Sequence, residues 1–343
     1  MLKNIKNFFN QLSSYLKSDV APIANALDHD RELLKIAYQK LVSFGNLRLL
    51  IPSQHGGLGG EQSERMEYNM LMAQFSGALL FLHTQHQYSI GQLKKLLPHD
   101  KISKTLTELS AQQRGVGVSN IINKSVLQIQ QTDQHLLLSG KLPWVTGFNY
   151  FSQVLLSFDF NEDIYYVWLP FQEVIHSTSS LQISPPIETA VFSAANTVSI
   201  ELRNWPIAKN DIIALQPKAA MQPAPPPPIY NFAGAAFALL KIASQSRYAN
   251  HPEAQINLQL LQTRWQAYYQ RVLSNETDFF ALRSDGLYLA QDCAVFARIV
   301  CGGEGLLASH PLTRISREIW QYTVAGYSND QLEAYLKVTK ESG

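Results

Sequence analysis

Cysteine is nearly absent: Cys293 and Cys301 are the only two in 343 residues, and they lie eight apart in a helical stretch. They build neither a C-x-x-C pair nor a disulfide framework, which fits a reducing compartment and two buried thiols. Charge is scarce as well, at 16% of residues where about a quarter is usual. Amides, hydroxyls or surface covered by another subunit must take its place. The net charge of +1 and the lack of any Lys/Arg block leave no electrostatic footprint for nucleic acid. No apolar run nears the roughly 20 residues that span a bilayer, so a cytoplasmic location is expected. Residues 1–16 do not read as a signal peptide, because polar residues break every apolar run. Leu2, Ile5, Phe8, Phe9, Leu12, Tyr15 and Leu16 mark instead one face of an amphipathic helix. Lys3, Lys6 and Lys17 beside it would suit a membrane surface, but packing against the body is the expectation, and no membrane partner is assigned.

The chain changes character twice. Its first third is helical in pattern, with helices expected over 1–16, 28–47, 63–97 and 100–113, and Gly45 placed to stop the second. Between the second and third lies Ile51-Pro52-Ser53-Gln54-His55-Gly56-Gly57-Leu58-Gly59-Gly60. Its glycines exclude helix and ordinary strand. No Lys-Ser/Thr follows in the P-loop manner, so a tight structural connection is expected. His83 and His86, three apart, lack the further ligands a metal needs and read as a polar helix face or cap. The middle third holds seven short runs rich in Val, Ile, Leu and Tyr, at 115–119, 126–130, 136–139, 154–158, 164–169, 181–183 and 197–202. Turn clusters separate them, as in an antiparallel barrel or sandwich. Residues 219–229 are proline-rich and read as a stiff extended connector. The last third is helical again, over 231–248, 252–273, 277–300 and 310–324, followed by a polar tail. The expected organisation is an N-terminal all-α domain (1–113), a middle β domain (114–215) and a C-terminal helical bundle (216–343). The low charge and the long C-terminal helices point to a homodimer or homotetramer.

Within the β domain, Gly140-Lys141-Leu142-Pro143-Trp144-Val145-Thr146-Gly147 places an indole, a β-branched pair and a hydroxyl between glycines. By itself this is either a core strand with a packed Trp or a surface for a flat, hydrogen-bonding ligand. Three further stretches stand in order around it: the 50–60 loop, Thr197–Ile212 (opening Thr-Val-Ser-Ile-Glu-Leu-Arg-Asn-Trp-Pro-Ile), and Gly302-Gly303-Glu304-Gly305 with His310-Pro311 and Arg317-Glu318. In that order they resemble the "IPEEYGGLG" loop, the "G-x-K-x-W-I-T" strand, the strand leaving the β domain and the "GGxG…P…RD" segment of acyl-CoA dehydrogenases. The resemblance covers nearly the whole chain. It implies an α+β fold of helical domain, β domain and four-helix bundle, with FAD as cofactor, and a small-molecule substrate, an acyl-CoA thioester or an aromatic compound. It also implies that Trp144 flanks the isoalloxazine with Val145, that Thr146 bonds near N5, and that Val118 and Ser119 meet the pyrimidine. Gly302, Gly303 and Gly305 would approach the adenosine half, Ser328 the flavin or its pyrophosphate, and Arg247 would stand in for the family's phosphate clamp.

The chain departs from that pattern at its chemistry. Removal of an α-proton needs a carboxylate, yet the family's Glu position falls on Ala325 or Gly326. The alternative helix, 231–249, holds no Asp or Glu. Asp330 is a weak candidate for a displaced base. Ser119–Ser125 replaces the family's "T-E-P-G-x-G-S-D" loop, and the "R-x-x-F-G…Q" segment is shortened to Arg247 alone. Each lost charge-assisted contact to pyrophosphate costs about 1.5–3 kcal/mol, so two weaken binding by about a hundred- to ten-thousand-fold. FAD held loosely, an FMN-sized flavin and an empty site all stay open. So do three functions: a flavin-dependent oxidoreductase with a substituted base, a flavin monooxygenase, and a non-catalytic scaffold. His310-Pro311-Leu312-Thr313-Arg314 resembles the monooxygenases' "H/N-P-L-x-R" segment, and their oxygen chemistry needs no α-proton abstraction.

Overall fold

The computed structural model describes residues 2–220, 228–274, 276–326 and 328–341. The expected proline-rich connector at 219–229 lies mostly outside them. In chain order the elements are α1 (Leu2–Tyr15), α2 (Arg31–Phe44), α3 (Gln62–Phe75), α4 (Gly77–Lys95), α5 (Asp100–Gln112), β1 (Val116–Asn120), β2 (Leu127–Gln131), β3 (His135–Val145), β4 (Gln153–Phe160), β5 (Asp163–Pro170), β6 (Val174–Ile175), β7 (Ser180–Ile183), β8 (Val198–Ala208), β9 (Ile212–Pro217), α6 (Pro228–Ser244), α7 (Pro252–Leu273), α8 (Phe279–Cys301), α9 (Pro311–Val324) and α10 (Asn329–Glu341). This is the α+β order expected, helices first, sheets next, helices last. Among the described residues no helix is long and apolar enough to cross a membrane.

The described residues fall into two compact units. The first takes Met1–Leu12, Asp30–Glu61 and Phe81–Pro223. Its α2 starts where the Asp30 carboxylate accepts from the Leu33 amide at 2.9 Å and stops at Gly45. The glycine loop is a tight connection: Leu58, Gly59 and Gly60 donate their amides to the carbonyls of Arg48, Ile51 and Leu49 at 2.8–2.9 Å. Among the described residues nine strands form two sheets, ordered β1-β4-β5-β9 and β2-β3-β8-β7-β6. All pairs are antiparallel except β1 with β4, which run parallel, a departure from the purely antiparallel expectation. Chain order explains it, because the β2–β3 hairpin belongs to the other sheet and returns the chain to β4 in β1's direction. β4 is central and buries residues on both faces, whereas β3 buries Leu136, Leu138 and Leu142 on one.

The second unit takes Ser13–His29, Gln62–Leu80 and Ala224–Gly343. Its centre is α6, apolar nearly all round and buried along most of its length. A Cβ on Gly234 would stand 2.4 Å from the Met70 carbonyl, so glycine is what lets α6 and α3 meet backbone to backbone. The single helix expected over 63–97 is broken at Ser76, whose amide closes α3 on Met72 while its hydroxyl accepts from Leu79 to begin α4. The polar tail is also corrected: Asn329–Glu341 is helix α10, with Gln331 and Tyr335 buried. Buried charge is concentrated around α9. Glu318 accepts from Arg314 at 2.7 Å and from the Gly77 amide at 2.9 Å, and burial raises its carboxyl above the usual range against the pull of Arg314.

Candidate functional site

In the first unit the Trp144 stretch closes β3. Leu142 pairs with Ile200 and Val145 with Val198, so three steps on β3 face two on β8. The extra residue is a β-bulge. It keeps Val145 wholly buried, where strict alternation after Leu142 would have turned it outward. The backbone pays for this phase change at Trp144, which sits at φ 57° with its residue 65% exposed. Of the two readings of this stretch, the packed core Trp is the one the fold does not show, since the ring stands out from a strained strand end. Gly147 follows at φ 99°, and a Cβ there would lie 2.2 Å from the Phe151 ring. Val145 offers only its backbone to any ligand.

Thr146 is buried, and its hydroxyl lies 2.9 Å from that of Thr197. A pair of hydroxyls holds two protons and uses one between them. The second has no acceptor among the described residues, so the pair is a buried net donor. Gly117 lies beside this stretch, with its missing Cβ 3.4 Å from the Thr146 carbonyl. The structure thus brings β1, with half-buried Val118 and buried Ser119, against the end of β3. The replaced loop after β1 is pinned elsewhere: Asn123 donates its amide to Asp159, whose other oxygen holds Lys218 at 2.8 Å.

β1 is propped from α4. His86, expected on a polar face, is 1% exposed. Its Nε2 donates to the Leu47 carbonyl at 2.7 Å, and its Nδ1 accepts from the Val116 amide at 3.4 Å. Burial holds the imidazole down at about 4, so it is neutral and acts as a strut. His83 is buried too, with Nδ1 3.2 Å from the Asn46 amide group. Among the described residues no cluster of three or more His, Cys, Asp or Glu could hold a metal. Beside His86, Gln87 is 1% exposed, and neither end of its carboxamide has a hydrogen-bond partner among the described residues. Such a group marks a place for water or ligand, and no sequence pattern announces it.

In the second unit the remaining expected residues fall in two places. Arg247 is exposed and lies over the Tyr248 ring at 5.3 Å. Tyr248 in turn donates its amide to Val300 and touches the position of a Cβ on Gly302. Gly303 has open space around it, whereas Gly305 is packed against Cys301 and Leu312. Ser328 begins α10, its hydroxyl accepting from the Gln331 amide at 3.3 Å, and Asp330 stands exposed in that helix's first turn. An acid there suits a helix N-terminus. Ala325 and Gly326 end α9, where buried Arg283, which no sequence pattern singled out, donates to the carbonyls of Tyr322, Thr323, Ala325 and Gly326 at 2.7–3.5 Å. Neither position carries a group that takes a proton.

No protein-family profile matches the sequence, and no curated protein does. Solved structures do match over nearly the whole chain. A glutaryl-coenzyme A dehydrogenase in complex with glutaryl-CoA aligns with a TM-score of 0.77 at 15% identity, covering 97% of this chain and 94% of that one. Butyryl-CoA dehydrogenase from Megasphaera elsdenii aligns at 0.77 and 13% identity, covering 98% of each chain. KijD3 in complex with FMN and a dTDP-sugar aligns at 0.76 and 14% identity, covering 99% and 94%. At these identities, what is shared is the fold.

Proposed function

Because the chain has the acyl-CoA dehydrogenase fold, we propose that it is a flavin-dependent oxidoreductase acting on a small molecule. The carrying observation is Trp144, a large aromatic ring held out into solvent on a left-handed bulge. Non-glycine residues persist in that region only where the surroundings enforce it, and such strain collects at ligand sites. Trp144 would lie on an isoalloxazine face, and the spare proton of the Thr146–Thr197 pair would meet an acceptor such as a ring nitrogen. The backbone of Val145, with Val118 and Ser119, would supply further polar contacts, and the unpaired carboxamide of Gln87 is free for another. When bound, the flavin supplies the redox chemistry.

The residues present fit the ring end of a flavin better than its phosphate end. Arg247 beside Gly302 is the cation proposed for the phosphates, with Gly303, Gly305 and Ser328 at the distal half. FAD is the proposed cofactor, and an FMN-sized flavin fits the sparse phosphate contacts equally well. The three-part division at 113 and 215, a homodimeric or homotetrameric assembly and a cytoplasmic location belong to the same proposal.

Acyl-CoA thioesters are the first substrate class proposed. The absence of a proton acceptor at Ala325 and Gly326 favours a second reading, a monooxygenase acting on an aromatic compound, because that chemistry needs no α-proton removed. A scaffold without catalysis is the reading that remains if no flavin binds. The test is an absorption spectrum between about 350 and 500 nm before and after adding FAD or FMN. A bound flavin spectrum is expected. Failure of both flavins to bind would end the proposal. Reduction of bound flavin by acyl-CoA would support the first reading, and consumption of oxygen coupled to an aromatic substrate the second.

A further inference from the structure

A cavity of about 330 Å³, open to solvent on one side, lies at the other end of β3 from Trp144, roughly 30 Å along the strand. Its floor is apolar and includes Leu136, Ile207 and Ile213, all buried. Its rim carries His99, Lys101, His135 and Lys209, and among the described residues no carboxylate lines it. Four nitrogen bases around an apolar floor, with no acid between them, is an unusual arrangement in a chain whose net charge is only +1.

Two rim groups are placed by turns and a third by its side-chain bonds. His135 ends the β2–β3 turn, which closes when Thr132 donates amide and hydroxyl to the His135 carbonyl at 2.9 and 3.0 Å. Lys209 opens the helical turn linking β8 to β9, and the acid of that turn, Asp211, is occupied with the Ala208 amide. Lys101 reaches from α5 to the carbonyls of Asn210 and Ile212 at 3.2 and 3.1 Å. Its charge meets only carbonyl dipoles there, and it ties α5 to the β8–β9 link. The cavity is thus bounded by elements of a single compact unit, and its volume lies at the lower end of small-molecule sites, roughly 300–1,000 Å³.

We propose that this cavity binds an organic anion with an apolar body, an aryl or short alkyl phosphate or carboxylate, at a site separate from the Trp144 region. The apolar body would cover Leu136, Ile207 and Ile213, and the oxyanion would sit among Lys101, Lys209 and the two histidines. Charge-assisted hydrogen bonds make phosphate and carboxylate the matching head groups.

The test uses fluorine NMR of 4-fluorophenyl phosphate, 4-fluorobenzoate and neutral 4-fluorobenzyl alcohol titrated with the whole protein, with inorganic phosphate as competitor. At least one anion is expected to bind at least tenfold more tightly than the alcohol, and whichever does identifies the head group. Inorganic phosphate is expected to compete at least tenfold more weakly than the aryl anion. Lys209→Gln combined with His135→Gln, which spares the Lys101 tie, should weaken the anion at least tenfold while circular dichroism stays unchanged. Leu136→Ala should weaken the aryl anion but not inorganic phosphate. Equal binding of the neutral alcohol, equal binding of inorganic phosphate, or a folded double variant within twofold of the parent would each overturn the proposal.

Discussion

Trp144→Gly separates a ring held out for a ligand from a ring that holds the fold together. Trp144 is 65% exposed, so of the roughly 250 Å² a Trp can bury, only about 85 Å² is covered now. At about 25 cal/mol per Å², losing that contact costs up to about 2 kcal/mol. The left-handed backbone at φ 57° carries strain of about 1–2 kcal/mol in any non-glycine residue, which glycine releases. The two nearly cancel, so stability should change by about 1 kcal/mol or less, a Tm shift of only about 1–2 °C. A Trp packed in the core would cost about 3–5 kcal/mol. Flavin binding should respond very differently. If a ring covers half of the exposed area, about 80 Å², its loss removes about 2 kcal/mol, or about 30-fold in Kd. Thermal unfolding and flavin titration of the same preparation read both quantities. A Tm drop of the size expected for a core Trp, or an unchanged flavin Kd, would refute the reasoning.

Three further outcomes are expected. Thr146→Val should cost about 1–3 kcal/mol by stranding the buried Thr197 hydroxyl, and adding Thr197→Val should recover most of it in urea unfolding; additive losses would show the pair to be uncoupled. His86 is held at about 4 in the fold against about 6.5 unfolded. The unfolded chain therefore takes its proton first, and stability falls by up to about 3 kcal/mol as pH drops from about 6.5 towards 4. The stability gap between the parent and His86→Gln should shrink over that window, and a constant gap would contradict a neutral strut. Ala325→Glu should speed acyl-CoA-dependent bleaching of bound flavin at least tenfold over the parent, and an unchanged rate would show that position 325 does not face the substrate.

Much of the helical frame was legible because local chemistry writes it. α7 runs over the very residues whose apolar spacing and N-terminal Pro252 announce it, and Gly45 stops α2 as a left-handed cap. The break at Ser76 was not legible, because apolar periodicity continues across it and only the caps reveal it. β9 was missed since Ile212–Pro217 is short and follows a polar turn, and α10 since its buried residues are few and its surface polar. At the candidate site the residue types of the Trp144 stretch were readable, but not the direction of the indole. The bulge depends on how β3 registers against β8, a property of two strands far apart in sequence. The odd step from Leu142 to Val145 was its only trace. His86 misled for a related reason: its partners, Leu47 and Val116, are main-chain atoms whose arrival no sequence pattern reports.

Arg283 grips the end of α9 through carbonyl oxygens, from Tyr322 to Gly326. Carbonyls are the same whatever side chain hangs beside them. These bonds therefore do not depend on which side chain residue 325 carries. Substitutions at residue 325 can thus be read for what the new side chain does, because the grip on this helix end is made by atoms that every residue has.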